Sequence, residues 1–235
     1  WQGLHTVDEI VTLLNPENGW LQNCNSTPFT AAAEFSPRRE DYPVYMAPDP
    51  ENFRGVHAVR VLTGQSDFTL DKLIEVAYDP YLPGFEILIP GLITAFDAGT
   101  SSDAEMAAAI DALRDWDFSV SADSVAMSLA HFYGTPSVKE GDNPDELDGM
   151  DLVNYFGTQS PPEERLKIFA KTLAGLQADF GQWNTPWGEI NRFQRLNGDI
   201  DLPFNDGAAS LPVGMASGRW GALASFGAKR FPGTK

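Results

Sequence analysis

The segment SPPEERLKIFAKTLAGLQADFG, residues 160–181, decides the fold class of this chain, because it carries the clearest helix signal among the 235 residues. Ser160 and Glu163 have the three-residue spacing of a capping box, in which two side chains satisfy free backbone N–H groups at a helix start. Pro161 stands at the first helical position, where its fixed φ favours helix initiation. The segment therefore predicts a long helix with Ser160 as its N-cap.

Five further segments on its N-terminal side have helical periodicity or helix-start signals. They are FRGVHAVRVL at 53–62, TLDKLIEVAYD at 69–79, FEILIPGLITAF at 85–96, DAEMAAAIDALRDWD at 103–117 and DSVAMSLAHFYG at 123–134. The first has an apolar side that consists of Val56, Val59 and Leu62. In the second, Thr69 is the predicted N-cap. The apolar stripe of the second consists of Leu70, Leu73, Ile74 and Ala77.

The two ends of the chain have turn, loop and strand signals instead of helical periodicity. NPENG at 15–19 predicts a turn, and GWLQNCN at 19–25 predicts a short strand. The C-terminal part is rich in Gly, Trp and Phe, which predicts loops and short strands. The sequence thus predicts one α+β unit, with a strand and loop entry over residues 1–52, a helical region over 53–182 and an irregular region over 183–235.

The composition excludes several classes of protein. The formal net charge is −17, whereas a nucleic-acid-binding surface is basic, so nucleic acid is not an expected partner. No run approaches the roughly 18 apolar residues of a membrane span, so a transmembrane protein is not expected either. Cys24 is the only cysteine, which excludes an internal disulfide. We expect it to pack as a small hydrophobic residue rather than to act as a nucleophile.

Most familiar catalytic motifs are missing from the sequence. His5, His57 and His131 are isolated, so none forms a metal-binding pair, and each is expected to be structural. There is no Gly-rich phosphate loop and no GxSxG nucleophile elbow. The carboxylates of residues 79–123 have solvent-facing spacing on amphipathic helices, which disfavours a glycosidase-type acid and base pair.

Two asparagines in NPENGWLQNCNSTPF, residues 15–29, remain as candidates for chemistry. The amide of Asn23 or Asn25 presents an N–H donor that does not titrate, and such a donor can stabilise the oxyanion of an acyl-transfer reaction. Most loop asparagines instead cap turns through their side chains. The residues alone leave both interpretations open.

The same segment resembles the NP-x-x-G-x-x-x-N-x-N-x-x-P motif of the penicillin acylase and acyl-homoserine lactone acylase family of N-terminal nucleophile hydrolases. The similarity continues in the same order through FRGVHAVRVL, LRDWD, DSVA, WGEINRF and GRWGALASFG, and so covers nearly the whole chain. The first segment is the most specific, FRGVHAVRVL is moderately specific, and the rest are weak singly but correctly ordered. The resemblance implies a four-layer αββα fold, to which this chain would contribute a largely helical segment with a few short strands at its ends.

The resemblance also implies an activity and a site. Family members cleave themselves into two chains, and the freed N-terminal Ser attacks the amide carbonyl of an N-acylated small molecule, with its own α-amino group as the base. Asn25 matches the oxyanion donor of the family, and Arg54 matches an arginine that supports the active site. Asn23 matches the other motif asparagine and is expected to hold the loop in shape. Trp20 and Phe29 are expected to pack around it as binding residues.

The chain begins with Trp1 rather than Ser, so the resemblance implies an internal fragment of the catalytic beta chain, without the nucleophile and inactive alone. Its expected partners are the remaining alpha- and beta-chain segments of the precursor and an N-acyl substrate such as a β-lactam or an acyl-homoserine lactone. The family implies a periplasmic or secreted location. It often binds calcium, although the loop over residues 41–49 shows no definite ligand set. The alternative is a non-catalytic binding or structural relative that kept the scaffold.

Overall fold

Helices make up nearly all of the regular structure in this computed structural model, which describes residues 3–99, 103–194 and 204–227. The helices are α1 (Phe53–Thr63), α2 (Leu70–Ala77), α3 (Phe85–Asp97), α4 (Ala104–Arg114), α5 (Val125–Glu140), α6 (Gly149–Thr158), α7 (Pro162–Phe180) and α8 (Trp187–Ile190). The strands β1 (Arg192–Phe193) and β2 (Leu211–Pro212) pair antiparallel. The described chain is therefore a largely helical α+β structure, as the sequence predicts. None of its described helices is long and apolar enough to cross a membrane.

Helix α7 confirms the longest predicted helix but not its predicted cap. The helix begins at Pro162 with Pro161 as the N-cap, and no side chain caps it. The Ser160 hydroxyl instead donates to the Phe156 carbonyl, near the end of α6, over 2.7 Å. It accepts from Arg165 Nε over 2.9 Å. The capping-box prediction for Ser160 and Glu163 is therefore wrong, because the buried Arg165 guanidinium takes the hydroxyl that would have capped the helix.

Helices α3 and α6 cross at two glycines, Gly91 and Gly157, where their backbones come into direct contact. A Cβ atom on Gly91 would lie 1.9 Å from the Gly157 carbonyl oxygen, and a Cβ atom on Gly157 would lie 2.7 Å from the Ile87 carbonyl oxygen. From α7, Arg165 Nη1 donates to the Gly91 carbonyl over 3.1 Å. The three helices thus meet at a point that has no space for a larger side chain.

Helix α5 continues through Gly134 and Pro136, two residues that commonly end helices. Gly134 leaves room for the Trp220 ring, because a Cβ atom at this position would lie 2.8 Å from Trp220 Cη2. Pro136 has no N–H to donate to the Phe132 carbonyl, and the Thr172 hydroxyl of α7 donates to that carbonyl over 3.0 Å instead. Tertiary contacts therefore carry the helix beyond the end that the sequence predicts.

Helices α1 and α2 do not bury the apolar sides that the sequence picks out. The buried residues of α1 are Phe53, Gly55, His57 and Ala58. The predicted residues Val56, Val59 and Leu62 are only half-buried. In α2, Val76 is the buried residue. The predicted stripe of α2 is exposed, and its members are Leu70, Leu73, Ile74 and Ala77.

Aromatic residues tie the C-terminal region to the helical core. Trp220 ends a 3-10 turn (Gly218–Trp220) and stacks on Phe85 of α3, with ring centroids 4.6 Å apart. Tyr133 of α5 meets Phe169 of α7 edge to face, at 5.8 Å. All four rings are fully buried, and aromatic pairs of this kind stabilise a core beyond the area that they bury. The stacked Trp220 also fixes the turn in which Gly218 lies against Arg54 of α1.

The entry region is made of loops and 3-10 turns rather than the predicted strand. Within residues 19–25, the Gln22 N–H donates to the Ala31 carbonyl over 2.8 Å, but this single bond within the loop does not continue as a ladder. The strand prediction for GWLQNCN is therefore wrong. At the other end, residues 195–203 and 228–235 of the predicted irregular region lie outside the described residues.

Candidate functional site

The loop that carries the two asparagines is built from tight turns. The Gly19 N–H donates to the Pro16 carbonyl over 2.9 Å, and Gly19 has a φ of +76°, which confirms the turn predicted at NPENG. Asn23 Oδ1 accepts from the Asn25 N–H over 2.8 Å. Asn25 itself has a φ of +56°, a left-handed conformation that asparagine tolerates better than most residues. The Asn23 side chain is thus part of the turn, whereas the Asn25 side chain extends from it.

Arg54, in the first turn of α1, reaches this loop with its guanidinium group. Arg54 Nη2 donates to Asn25 Oδ1 over 3.0 Å and to the Cys24 carbonyl over 2.7 Å. A guanidinium has only donors, so the oxygen of the Asn25 amide must face it and the NH₂ group must point away. Asn25 is exposed, and no acceptor among the described residues takes its Nδ2 hydrogens. The arrangement leaves an oriented, uncharged N–H donor at the surface of the chain.

Asn52 also belongs to the site, although no sequence motif singles it out. Its Oδ1 caps α1 by accepting from the Gly55 N–H over 3.0 Å. Its Nδ2 donates to the Cys24 carbonyl over 3.0 Å and to the Asn25 carbonyl over 3.3 Å. A signal was present, because Asn52 is a preferred N-cap residue directly before the predicted helix. One amide therefore fixes both the start of α1 and the loop that α1 contacts.

Two glycines leave room for side chains in and around the site. A Cβ atom on Gly55 would lie 2.2 Å from Glu51 Oε1, whose carboxylate also accepts from the Thr30 hydroxyl. A Cβ atom on Gly218 would lie 2.8 Å from Arg54 Cδ and 3.2 Å from its Nε. No sequence pattern indicates that Gly218, far along the chain, borders Arg54.

The remaining predicted residues lie around the site rather than in it. Burial raises the pKa of the Cys24 thiol, and the loop uses the carbonyl of this residue rather than its sulfur. Trp20 is half-buried. The Phe29 ring packs against Tyr42, with centroids 5.9 Å apart, and the Arg39 guanidinium lies 4.9 Å from its centroid. Phe29 therefore contacts the following loop, and these contacts do not extend to Asn25.

His57 is a structural histidine, as its isolated position in the sequence predicts. The ring is fully buried, with Nδ1 2.8 Å from the Gly221 carbonyl and Nε2 3.1 Å from Asp79 Oδ1. Both ring nitrogens thus have partners, and the ring joins α1 to the turn after Trp220. This contact supports the position of α1, which in turn carries Arg54.

The loop considered for calcium uses one of its carboxylates for an ion pair. Asp41, in this loop, binds Arg38 through both carboxylate oxygens at 3.1 and 3.2 Å. Across residues 3–99, 103–194 and 204–227, no group of three or more His, Cys, Asp or Glu side chains could hold a metal ion.

A comparison with protein families supports the resemblance seen in the sequence. The family model described as penicillin amidase matches residues 1–224 of the chain. The match includes the loop with Asn23 and Asn25, helix α1 with Arg54, and the turn that contains Gly218. The chain belongs to the penicillin amidase family.

Proposed function

We propose that this chain supplies the oxyanion donor of an acylase whose nucleophile is an N-terminal Ser in another segment of the precursor. Membership of the penicillin amidase family supports amide hydrolysis as the reaction. The observation that carries the residue assignment is the 3.0 Å hydrogen bond from Arg54 Nη2 to Asn25 Oδ1, because it directs the Asn25 NH₂ group away from the protein. A side chain that only capped its own turn would not need this partner.

The proposed reaction follows from these groups. The Ser hydroxyl attacks the carbonyl carbon of an N-acylated small molecule and loses its proton to the α-amino group of the same residue. The carbonyl oxygen becomes an oxyanion, which accepts a hydrogen bond from Asn25 Nδ2. Collapse of this tetrahedral intermediate breaks the C–N bond, and the amine leaves with the proton from the α-amino group. Water then hydrolyses the acyl-enzyme ester through a second oxyanion at the same donor.

Three residues act on the reaction through Asn25 in this proposal. Arg54 orients the amide, Asn23 holds the backbone of the turn, and Asn52 fixes the loop to the start of α1. The supporting contacts are the hydrogen bonds from Arg54, from the Asn25 N–H to Asn23, and from Asn52 to the Cys24 carbonyl. Trp20 and Phe29 are proposed to line the approach of the substrate. An oxyanion donor must be held in place before the reaction, because a donor that reorganises during it loses much of its effect.

We also propose that this chain binds other segments of its precursor and forms a larger fold with them. The partners are the remaining alpha- and beta-chain segments of a self-cleaving precursor, which together would complete a four-layer αββα arrangement in the periplasm or outside the cell. Large apolar side chains on the described surface support such partners. Leu4 is 90% exposed, Val44 is 86% exposed and Leu70 of α2 is 73% exposed. The stripe of Leu70, Leu73 and Ile74 on α2 is the strongest support, because apolar side chains exposed next to one another commonly mark a surface that another segment covers.

Assays of the complete precursor test the proposed function. We expect the purified, self-cleaved protein to release the amine from N-acyl substrates, with β-lactams and acyl-homoserine lactones as the first classes to assay. The 235-residue chain alone is expected to release none. Intact mass spectrometry of the precursor should show two chains, with Ser at the new N-terminus. An uncleaved precursor without amidase activity would favour the non-catalytic alternative.

Substitution of Gly218 by alanine tests the positioning of Arg54. A new Cβ atom would lie 2.8 Å from Arg54 Cδ, so the arginine must shift and weaken its bond to Asn25. A displacement of about 1 Å at a site can cost up to about 100-fold in rate, and we expect kcat to fall by about tenfold or more. Gly175→Ala in α7 is the control, because its Cβ atom would have open space around it. Equal kcat values for both variants would show that Gly218 has no positioning role.

A further inference from the structure

A pocket of about 570 Å³ lies beside the candidate site and shares Asn52 and Arg54 with it. It is bounded by the start of α1, the end of α5, the start of α6 and the turn that contains Gly218. Its apolar wall includes Phe53, Val138, Leu147, Met150 and Val153. Its volume lies within the range of about 300–1,000 Å³ that is typical of small-molecule sites. The pocket is therefore large enough for part of a substrate beside Arg54, the residue that contacts Asn25.

The side chains that line this pocket carry a net positive charge, whereas the chain as a whole is acidic. Two guanidinium groups, those of Arg54 and Arg219, line it together with one carboxylate, that of Asp148, whereas the whole chain carries a net charge of −17. Positive charge concentrated in a concave site attracts anions. The pocket therefore favours an anionic group on a ligand.

Both arginines have hydrogen-bond donors to offer. Arg54 is half-buried and uses Nη2 for its two contacts with the loop, which leaves Nε and Nη1 without an acceptor among the described residues. Arg219 is exposed, and its guanidinium has no acceptor in the described part of the chain. Gly218 precedes Arg219 and lies directly against the Arg54 side chain, which brings the two arginines to the same wall. Guanidinium donors match the oxygens of a carboxylate in a bidentate geometry.

We propose that this pocket binds a carboxylate of the substrate, with Arg219 as the residue that selects it. The inference rests on the proposed function, because it takes the pocket to hold one end of an N-acyl compound whose amide lies at Asn25. The apolar wall packs against the body of the ligand, and Arg219 donates to the carboxylate. The substrate class is then an N-acylated amino acid or a related acid, rather than a neutral amide.

Calorimetric binding to the complete protein tests this assignment without relying on turnover. The ligands are N-benzoylglycine and its neutral counterpart N-benzoylglycinamide, which differ only in the carboxylate. Hydrogen bonds to charged groups are strong enough for a preference of about tenfold or more for the acid. We expect this preference in the wild-type protein and its loss in Arg219→Ala, with partial recovery in Arg219→Lys. The control is Arg38→Ala, which removes an exposed arginine that pairs with Asp41.

The outcomes separate this inference from the proposed function. Equal binding of the two ligands by the wild type, or a preference that survives in Arg219→Ala, overturns the carboxylate pocket even if the protein hydrolyses amides. A preference that depends on Arg219, in a protein that cleaves neither ligand nor any other amide, supports the pocket and refutes the acylase. Circular dichroism of each variant ensures that a lost preference reflects the missing guanidinium and not misfolding.

Discussion

Replacement of Asn25 by aspartate is expected to lower the kcat of the complete acylase by about 100- to 1,000-fold, because removal of one oxyanion donor has an effect of this size. Aspartate has the same shape and tolerates the left-handed conformation of this position, for which φ is +56°. It also keeps an oxygen for the hydrogen bond from Arg54. What it loses is the N–H group, and its charge opposes the oxyanion. The change therefore removes the chemistry and keeps the fold.

The effect should appear in kcat much more than in KM, because the oxyanion exists only in the transition state and intermediate. Asn25→Gly is a second variant, since glycine adopts a positive φ without strain and brings no charge to the site. We expect it to lose activity to a similar degree. Asn154→Asp adds the same charge on α6 and should keep the wild-type kcat. Near-normal turnover in Asn25→Gly would refute the assignment of Asn25 as the donor.

Replacement of Gly91 by alanine is expected to give the largest loss of stability. The new Cβ atom would lie 1.9 Å from the Gly157 carbonyl oxygen. Because that oxygen belongs to the backbone, no side-chain rotation can relieve the clash, and α3 and α6 must separate. Separation also lengthens the 3.1 Å hydrogen bond from Arg165 to the Gly91 carbonyl. Overpacking costs typically about 1–3 kcal/mol, and we place this case at about 3 kcal/mol.

Thermal denaturation measures this loss. For a chain of this size, 3 kcal/mol corresponds to a fall in Tm of roughly 6–12 °C. Gly175→Ala provides the matched control, because it makes the same change inside a helix where the added methyl group has open space. The control should be as stable as the wild type or slightly more stable, by about 0.5–1 kcal/mol. A Tm for Gly91→Ala within a degree of the control would contradict the close crossing of α3 and α6.

The sequence predicts the helices where local signals and tertiary contacts agree. Thr69 caps α2 by accepting from the Lys72 N–H, as its position predicts. Ser160 has an equally good signal, but the buried Arg165 takes its hydroxyl. Helix α5 passes Pro136 only because α7 supplies a hydroxyl to the freed carbonyl. Such contacts join residues far apart in sequence, so no local pattern contains them.

Helix α6 shows a further limit of sequence patterns. It lies within the helical region predicted over residues 53–182, but none of the segments with helical signals covers it. In the structure Gly149 has a φ of +50° at the helix start, and Gly157 allows the close approach to α3. Both glycines therefore have roles that only the packed structure reveals.

Sequence features likewise indicate some residues of the candidate site and not others. Asn25 and Arg54 were picked out by a resemblance, and the structure places them in direct contact. Asn52 could have been found from its capping position alone. Gly218 and the pocket beside it could not have been found, because they depend on how the C-terminal turn packs against α1.

A double-mutant cycle on Asn25 and Arg54 tests the central claim most directly, which is that Arg54 acts on the reaction by orienting the Asn25 amide. The measured quantity is kcat for an uncharged N-acyl substrate, so that carboxylate binding in the pocket does not contribute. Interacting residues give non-additive effects in such a cycle. We predict that Arg54→Ala lowers kcat by about tenfold or more in the wild-type background, but by less than about twofold in the Asn25→Gly background. An equal loss in both backgrounds would contradict the account.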